Sequence, residues 1–251
     1  MRARRSCLSV PARPARRIEK ARGLAADEIV LDLEDSVPPD LKDEARSEVA
    51  EALATGAWSS ASVSVRVNGP GTPWHEADMG AIAARSRLAS VIVPKVEDPA
   101  ELEAAESLLG EGGAGLQALI ESAAGLQRVT EISRACERLE ALILGPADMS
   151  VSLGFPSPAE GSRWDFVRGA VLLAARAAGL QAIDGPFLQV SDLDGLRASA
   201  ARAREFGFDG KWALHPDQIP PLNEAFSPTA EEIAQAETSS APSPRQRGAA
   251  R

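Results

Sequence analysis

The chain has 251 residues, of which 44% are hydrophobic, and this length and composition are typical of one large α/β domain with a substantial core. Its 27 Lys and Arg residues are outnumbered by 36 Asp and Glu, giving a formal net charge of -9. Such a balance argues against an extended surface for nucleic acid or anionic membranes, and it favours a small-molecule partner.

No apolar run reaches the roughly 20 residues that a membrane helix needs. The basic start "MRARRSCLSV" is not followed by the apolar stretch of a signal peptide. We therefore expect a cytoplasmic protein with no membrane segment. Cys7 and Cys136 lack the spacing of metal ligands, and with only two histidines in the chain a zinc site is not expected.

Eight short apolar runs recur along the chain, each followed by residues with helical spacing of apolar positions. In order they are SCLSVPA, EIVLDLED, SVSVRVN, SVIVPKV, LQALIES, EALILGPAD, LQAIDGPF and GKWALHP. The helix-period segments include 38–54, 98–109, 123–139, 160–178 and 191–206. Strands that alternate with helices pair in parallel through right-handed crossovers, and eight such units close into a barrel. The sequence therefore predicts an α/β fold, a single-domain (β/α)8 TIM barrel over residues 1–237.

The end of the chain departs from this repeat. "SPTAEEIAQAE" predicts one short extra helix, whereas residues 238–251, "TSSAPSPRQRGAAR", have almost nothing to bury and are predicted to form a disordered tail. The glycine-rich run at 110–115, "GEGGAG", follows a helix and precedes a strand, the reverse of the order found in phosphate loops. We interpret it as a turn.

The second predicted strand, "EIVLDLEDSV", starts as a buried strand and ends in three acids, Asp32, Glu34 and Asp35. By period-two alternation Asp32 and Glu34 share one face. Because the carboxyl ends of the strands line the active site of such a barrel, we predict that these acids take part in catalysis. A structural interpretation stays open, in which Asp35 or Ser36 caps the next helix and Asp32 accepts local hydrogen bonds.

Charged residues also follow the other predicted strands: Arg66, Lys95, Glu121, Asp148, Asp184, Lys211 and His215. Glu121 and Asp148 belong to consecutive strands, which lie about 4.8 Å apart in a sheet. Two carboxylates so close repel each other unless a cation lies between them. With no His or Cys nearby, their oxygens favour a hard ion, and we predict a Mg²⁺ site. Equally, each could pair with a basic side chain such as Lys95.

The basic residues around the predicted mouth suggest how a substrate binds. The planar fork of Arg66 can hold a carboxylate or an oxyanion, or form an ion pair with the acids around Asp32. Seven arginines fall within residues 2–22 and could meet the phosphates of a nucleotide-bearing substrate, or remain solvated charges. We predict Arg66, Arg5 and Lys95 as substrate-binding residues.

The motifs RSCLSVPA, DLEDSVPPDLKDEAR, VRVN, VPKV, ALIES, LGPADMSVSLG, AIDGPF and GFDGKWALHPDQI occur in this order. Together they resemble the citrate lyase β-subunit-like branch of the HpcH/HpaI aldolase superfamily, from about residue 5 to 237. This resemblance implies a Mg²⁺-dependent barrel that forms a homo-oligomer, with a trimer favoured. It also implies Glu121 and Asp148 as metal ligands, Arg66 as a substrate-binding residue and the acids of "DLED" as part of the catalytic site.

By the same resemblance, the activity is that of a carbon-carbon lyase on a short 3-hydroxyacyl-CoA thioester of the citryl-CoA or malyl-CoA type. The products are acetyl-CoA, or a related acyl-CoA, and a 2-oxo acid. Longer relatives of the malyl-CoA lyase type continue past the "SPTAEEI" helix into a segment that closes over a neighbouring subunit, and we expect this chain to lack that lid.

Three alternatives stay open. The chain could be the β subunit of a citrate lyase complex, acting on a thioester of an acyl carrier protein. It could be a thioester hydrolase with the same metal site. It could also be a non-catalytic protein that retains the barrel.

Overall fold

The computed structural model of the chain describes residues 2–155 and 161–240, and these residues form the predicted barrel. Eight strands pair in parallel in chain order, and the eighth pairs with the first. The strands are β1 (Ser6–Pro11), β2 (Glu28–Asp32), β3 (Ser62–Arg66), β4 (Ser90–Val93), β5 (Gly115–Ile120), β6 (Leu139–Leu144), β7 (Gln181–Asp184) and β8 (Gly210–Ala213). The predicted (β/α)8 fold is confirmed.

Helices surround the strands on the outside. They are α1 (Arg16–Ala21), α2 (Lys42–Ala54), α3 (His75–Ile82), α4 (Pro99–Leu109), α5 (Ala123–Gln127), α6 (Val129–Ile132), α7 (Pro146–Ser152), α8 (Asp165–Ala177), α9 (Leu193–Phe206), α10 (Ile219–Ala225) and α11 (Ala230–Ser240). The glycine-rich run forms the turn between α4 and β5, where Gly110 has a positive φ of 57°. Among the described residues no helix has the length and apolarity needed to cross a membrane.

Two predicted helical segments differ from the structure. The segment 123–139 contains two short helices, α5 and α6, because the backbone of Arg128 leaves the helical region with φ -103° and ψ 10°. The extra helix at the end, α11, continues through Ser240 and so includes the first three residues of the predicted tail. The rest of that tail, 241–251, lies outside the described residues.

The barrel interior is built by alternation along each strand. On β2, Ile29 and Leu31 pack outward against the helices, while Val30 points into the barrel centre. There it contacts a small apolar cluster from the other strands, made of Cys7, Ile92, Leu119, Ala141, Ile143, Ile183 and Trp212. The inward positions on either side of Val30 are Glu28 and Asp32, which therefore lie at opposite ends of the barrel.

A buried polar network fills the amino-terminal end of the barrel around Glu28. Its Oε1 accepts hydrogen bonds from Ser64 Oγ at 2.5 Å and from Gln117 Nε2 at 2.9 Å, and Arg4 Nε lies 3.3 Å away. All four side chains are almost fully buried. A buried charge is tolerated when it is paired and hydrogen-bonded, and this network therefore closes the floor of the barrel.

Asp184 and Lys211, which follow the same strand-end pattern as the acids at the mouth, face the helices instead. Their neighbours Ile183 and Trp212 point inward, so alternation turns Asp184 and Lys211 outward. Lys211 Nζ lies 2.5 Å from Asp184 Oδ2, and Arg168 of α8 lies 3.7 Å from the other carboxylate oxygen. All three side chains are buried, so this group is an internal ion pair of the outer layer rather than a part of the mouth.

We expect Lys211→Met to lower the free energy of unfolding by roughly 3 kcal/mol, because it leaves the buried Asp184 without its closest cation. Urea unfolding monitored by circular dichroism measures this change. Lys20→Met, which removes an exposed lysine on α1, serves as the matched control and should leave the stability almost unchanged. A loss below about 1 kcal/mol for Lys211→Met would contradict the assignment of a buried pair.

Candidate active site

A cavity of about 380 Å³ lies at the carboxyl-terminal end of the strands. Its charged lining consists of Asp32, Asp35, Arg66, Glu121 and Asp148, and its apolar lining includes Leu119, Leu144, Pro146, Pro186, Leu188, Trp212 and Leu214. The structure therefore brings together residues from β2, β3, β5 and α7 that are far apart in sequence. Most of the predicted site residues lie in this cavity or directly beside it.

Arg66 is the last residue of β3, and its register partner on β2 is Asp32. The guanidinium donates two hydrogen bonds to this carboxylate, from Nε at 2.8 Å and from Nη2 at 2.7 Å. The remaining terminal nitrogen, Nη1, lies 2.8 Å from Glu34 Oε2. Burial lowers the pKa of Arg66, but these two acids outweigh burial and raise the pKa above its ordinary value. The fork is therefore permanently charged and fixed in place.

The two acids that hold Arg66 respond to it differently. Burial raises the pKa of Asp32, but the charge and hydrogen bonds of Arg66 outweigh this and lower the pKa below its ordinary value. Burial raises the pKa of Glu34 above its ordinary value, although Arg66 and Lys95 oppose the change. Asp32 is thus a fixed anion that orients the arginine, and this contact confirms the predicted ion pair between Arg66 and the acids of β2.

Lys95 follows β4 and contacts several of these acids. Its backbone N–H donates to Glu121 Oε1 at 2.8 Å, while its ammonium Nζ lies 2.5 Å from Glu34 Oε1 and 3.5 Å from Asp35 Oδ1. Lys95 is the one non-glycine residue with a positive φ, 55°, in the described part of the chain. A lysine pays a conformational cost for this geometry, and such strain concentrates at functional sites. Here it turns the N–H toward Glu121.

Glu121 directly follows β5 and Asp148 lies in the first turn of α7, which follows β6. The two strands are neighbours, as predicted. Glu121 is 5% exposed, and its burial, followed by the charges of Glu34 and Asp148, raises its pKa to about 8. Close approach of the two loops requires Gly145, because a Cβ there would lie 2.5 Å from the Cβ of Glu121.

These residues fit a hard divalent cation. The donors are carboxylate oxygens from neighbouring strand ends, and the charges of Glu34 and Asp148 add to burial in raising the pKa of Glu121. The described residues contain no ready-made cluster of three or more His, Cys, Asp or Glu ligands. Two carboxylates with open positions for water and substrate oxygens match the coordination that Mg²⁺ prefers. The predicted alternative, pairing with Lys95, is present only as a 3.9 Å contact between its Nζ and Asp148 Oδ2.

One predicted substrate-binding residue must be corrected. Arg5 precedes β1, and its side chain donates to both carboxylate oxygens of Asp27 at 2.8 Å and to Ser227 Oγ at 2.8 Å. Asp27 precedes β2, so this ion pair lies at the amino-terminal end of the barrel, opposite the cavity. Arg5 was predicted as one of the seven arginines within residues 2–22, but it stands before the first strand and not after it.

Sequence reasoning missed Trp212, although it lies within the "GKWALHP" motif. Its ring is 4% exposed, lines the cavity and lies 5.5 Å from the guanidinium carbon of Arg66. It points inward because it alternates with Lys211 on β8. The alternation of side chains along β8 would have predicted that Trp212 faces the barrel interior, but only charged strand-end residues were considered. His215 is half exposed outside this cavity, with Nδ1 accepting from the Asp217 N–H at 3.3 Å.

Comparison with known proteins agrees with this arrangement. A family model described as HpcH/HpaI aldolase/citrate lyase matches residues 5–216. An L-malyl-CoA/beta-methylmalyl-CoA lyase of Cereibacter sphaeroides is 37% identical over 245 residues, covering 87% of this chain and 77% of the relative. A (3S)-malyl-CoA thioesterase of the same species is 39% identical over 229 residues, covering 91% of this chain and 79% of the relative.

Among solved structures, the protein CitE from Mycobacterium tuberculosis, in complex with magnesium, acetoacetate and coenzyme A, is 31% identical with a TM-score of 0.78. The match covers 94% of this chain and 86% of that one. The family model matches most of the barrel, and the malyl-CoA lyase and the thioesterase are each more than 30% identical to this chain. The chain therefore belongs to the HpcH/HpaI aldolase/citrate lyase family.

Proposed function

We propose that the chain is a Mg²⁺-dependent carbon-carbon lyase acting on a short 3-hydroxyacyl-CoA thioester of the malyl-CoA or citryl-CoA type. The products are acetyl-CoA, or a related acyl-CoA, and a 2-oxo acid. The observation that carries this proposal is one cavity that holds a fixed arginine fork beside two crowded carboxylates, in a family of such lyases. Malyl-CoA lyases are among the relatives that this chain matches along most of its length.

Glu121 and Asp148 are the residues that would hold the cation. When bound, Mg²⁺ would act as a Lewis acid that stabilises negative charge on the oxygens of the 2-oxo acid. Two features of the chain hold these two acids in place. The Lys95 N–H fixes the orientation of Glu121, and the absence of a side chain at Gly145 lets the two acidic loops approach.

Arg66 is placed to bind the substrate and to stabilise charge that develops during cleavage. Three of its nitrogens are held by Asp32 and Glu34, which leaves one further N–H on each terminal nitrogen. These N–H groups can donate hydrogen bonds to a carboxylate or to the enolate oxygen of the departing thioester. Because the fork does not need to reorganise, its interaction with the developing charge lowers the barrier.

We assign the proton transfer to Asp35. It lines the cavity that also contains Glu121 and Asp148, and its side chain is 61% exposed. Glu34, the other candidate, is held between Arg66 and Lys95 and faces a neighbouring cavity. The Asp35 carboxylate would take the proton of the 3-hydroxyl as the bond between carbons 2 and 3 breaks. The electron pair passes to the thioester enolate, whose carbon would then take up the proton from Asp35.

A second cavity next to the first supports binding of coenzyme A. The two cavities share Ser9, Pro11 and Leu214 in their linings. The neighbour, of about 380 Å³, is also lined by Arg17 and Lys20 from α1 and by His215. Basic side chains on a path that leaves the reaction site suit the phosphates of the nucleotide portion. Four of the seven N-terminal arginines, Arg4, Arg5, Arg13 and Arg22, are instead paired with acidic side chains.

Thioester hydrolysis is a second candidate, favoured by the 39% identity to a (3S)-malyl-CoA thioesterase. In that reaction water adds to the thioester carbonyl, the carbon-sulfur bond breaks and CoA leaves as the thiol. The same arginine fork and acid pair would serve it. An acyl carrier protein as partner, a homo-oligomer with a trimer favoured, and a cytoplasmic location stay predictions.

The two reactions differ in their products. We expect malyl-CoA or citryl-CoA incubated with the protein and Mg²⁺ to give acetyl-CoA and a 2-oxo acid, identified by mass spectrometry. EDTA should suppress this turnover because the cation is part of the site. Free CoA with intact hydroxy acid would replace the lyase assignment by the hydrolase one. Turnover of a carrier-protein thioester alone would identify the citrate lyase subunit.

We expect Glu121→Gln and Asp148→Asn each to abolish Mg²⁺-dependent turnover while the barrel stays folded. The reason is that each removes one of the two anionic oxygen donors at the rim of the barrel. Steady-state rates and circular dichroism measure both effects. Glu103→Gln, an exposed acid on α4, is the matched control and should retain full activity. Full activity in either site variant would contradict the metal assignment.

The raised pKa of Glu121 predicts a pH effect on the metal-free protein. Between its ordinary value of 4.5 and about 8, the folded state binds more protons than the unfolded state, so the free energy of unfolding falls as pH rises. In EDTA, the free energy of unfolding of Glu121→Gln should fall much less between these pH values than that of the native protein. Some decline should remain, because the pKa of Glu34 is also raised. Urea unfolding at several pH values measures it, and an unchanged slope in the variant would refute the effect.

A further inference from the structure

The mouth of the barrel holds more negative than positive charge. Five carboxylates, Asp32, Glu34, Asp35, Glu121 and Asp148, surround two cations, Arg66 and Lys95. Arg66 is almost buried and is committed to Asp32 and Glu34. The side chain of Lys95 is 48% exposed, so Lys95 is the cation of this group that has freedom to move.

The Lys95 ammonium lies between two parts of the acid group. It is 2.5 Å from Glu34 and 3.5 Å from Asp35 on one side, and 3.9 Å from Asp148 on the other. The contact with Glu34 is a short charged hydrogen bond, whereas the contact with Asp148 is long and weak. A competing cation at Asp148 would therefore break the weaker contact and leave the stronger one in place.

There is room for this movement. Beside the reaction cavity lies another of about 530 Å³, lined by Lys95 together with Glu34, Asp35, Lys42 and Trp74. Asp35 is shared by both cavities, so the Lys95 side chain stands at the boundary between them. Withdrawal of its ammonium from Asp148 would carry it toward open space and not into packed side chains.

We propose that Lys95 is an internal counter-ion of the acid group, and that its ammonium competes with the divalent cation for Asp148. This inference rests on the proposed Mg²⁺ site at Glu121 and Asp148. The backbone and the side chain of Lys95 then have opposite effects. The N–H holds Glu121 in the orientation that the cation needs, while the ammonium opposes the approach of a second positive charge.

The competition weakens cation binding. Without the cation, the ammonium offsets repulsion between Asp148 and the neighbouring acids. A bound cation would still be repelled by the ammonium, because the contact with Glu34 holds Lys95 near the site. Because Lys95 is half exposed, water screens part of this repulsion.

Replacement of the ammonium by a neutral group tests the proposal. Lys95→Met keeps the backbone N–H and meets the same positive φ as the native lysine, so it changes chiefly the charge. Isothermal titration of the full chain with MgCl₂ at constant ionic strength should show a Kd lowered by about tenfold relative to the native protein. Lys95→Gln should shift the Kd in the same direction, and its polar group can still bond to Glu34.

Two controls isolate the charge at this position. Lys95→Arg keeps the charge and should bind Mg²⁺ within about twofold of the native protein. Arg87→Met removes an exposed cation before β4, at the end of the barrel opposite the reaction cavity, and should change the Kd by less than about twofold, because distant exposed charges are screened.

The outcomes separate this inference from the proposed function. If the native protein binds Mg²⁺ and the folded variants Lys95→Met and Lys95→Gln bind it equally well or more weakly, the proposed competition is wrong. The proposed metal site would still stand. Absence of Mg²⁺ binding to the native protein would overturn both. Circular dichroism confirms folding, which is expected because removal of a half-exposed ammonium opens no cavity in the core.

Discussion

The paired hydrogen bonds between Arg66 and Asp32 are the contact on which the site depends. They join the last residues of two neighbouring strands that are register partners, so the geometry of the sheet itself sets the position of the arginine fork. Both side chains are nearly buried, and loss of one partner would leave an uncompensated charge at a typical cost of about 3–5 kcal/mol. The pair therefore holds a permanent cation at the mouth of the barrel.

The other charges at the mouth are arranged around this pair. Glu34 forms ion pairs with the third nitrogen of Arg66 and with the ammonium of Lys95. The backbone N–H of Lys95 in turn donates a hydrogen bond to Glu121. The chain of contacts runs across β2, β3, β4 and β5, which are consecutive strands of the sheet, so the strand order brings these residues together. Negative charge is in excess at its far end, where Asp148 Oδ2 lies 3.9 Å from Lys95 Nζ. The proposed divalent cation would balance this excess negative charge.

Sequence pattern predicted the fold and much of this site for one reason. Both the closing of eight βα units and the inward position of Asp32 follow from local periodicity, since a strand alternates its side chains whatever its neighbours are. A charged residue at a strand end lies at the mouth of the barrel only if its side chain points inward, so position at the strand end is not sufficient. Asp184 and Lys211 point outward, while Trp212, the residue after Lys211, points into the cavity. Arg5 stands at the wrong end of its strand altogether.

The sequence by itself determined which residues stand at the carboxyl ends of the strands, because the order of apolar runs and polar ends is local information. Only the tertiary structure decided which of these charges meet. The partners of Arg66, the left-handed backbone of Lys95 and the raised pKa of Glu121 all depend on distances between strands that close around a common axis. Electrostatic interactions depend on separation and burial in three dimensions, and neither is written in the spacing of residues along the chain.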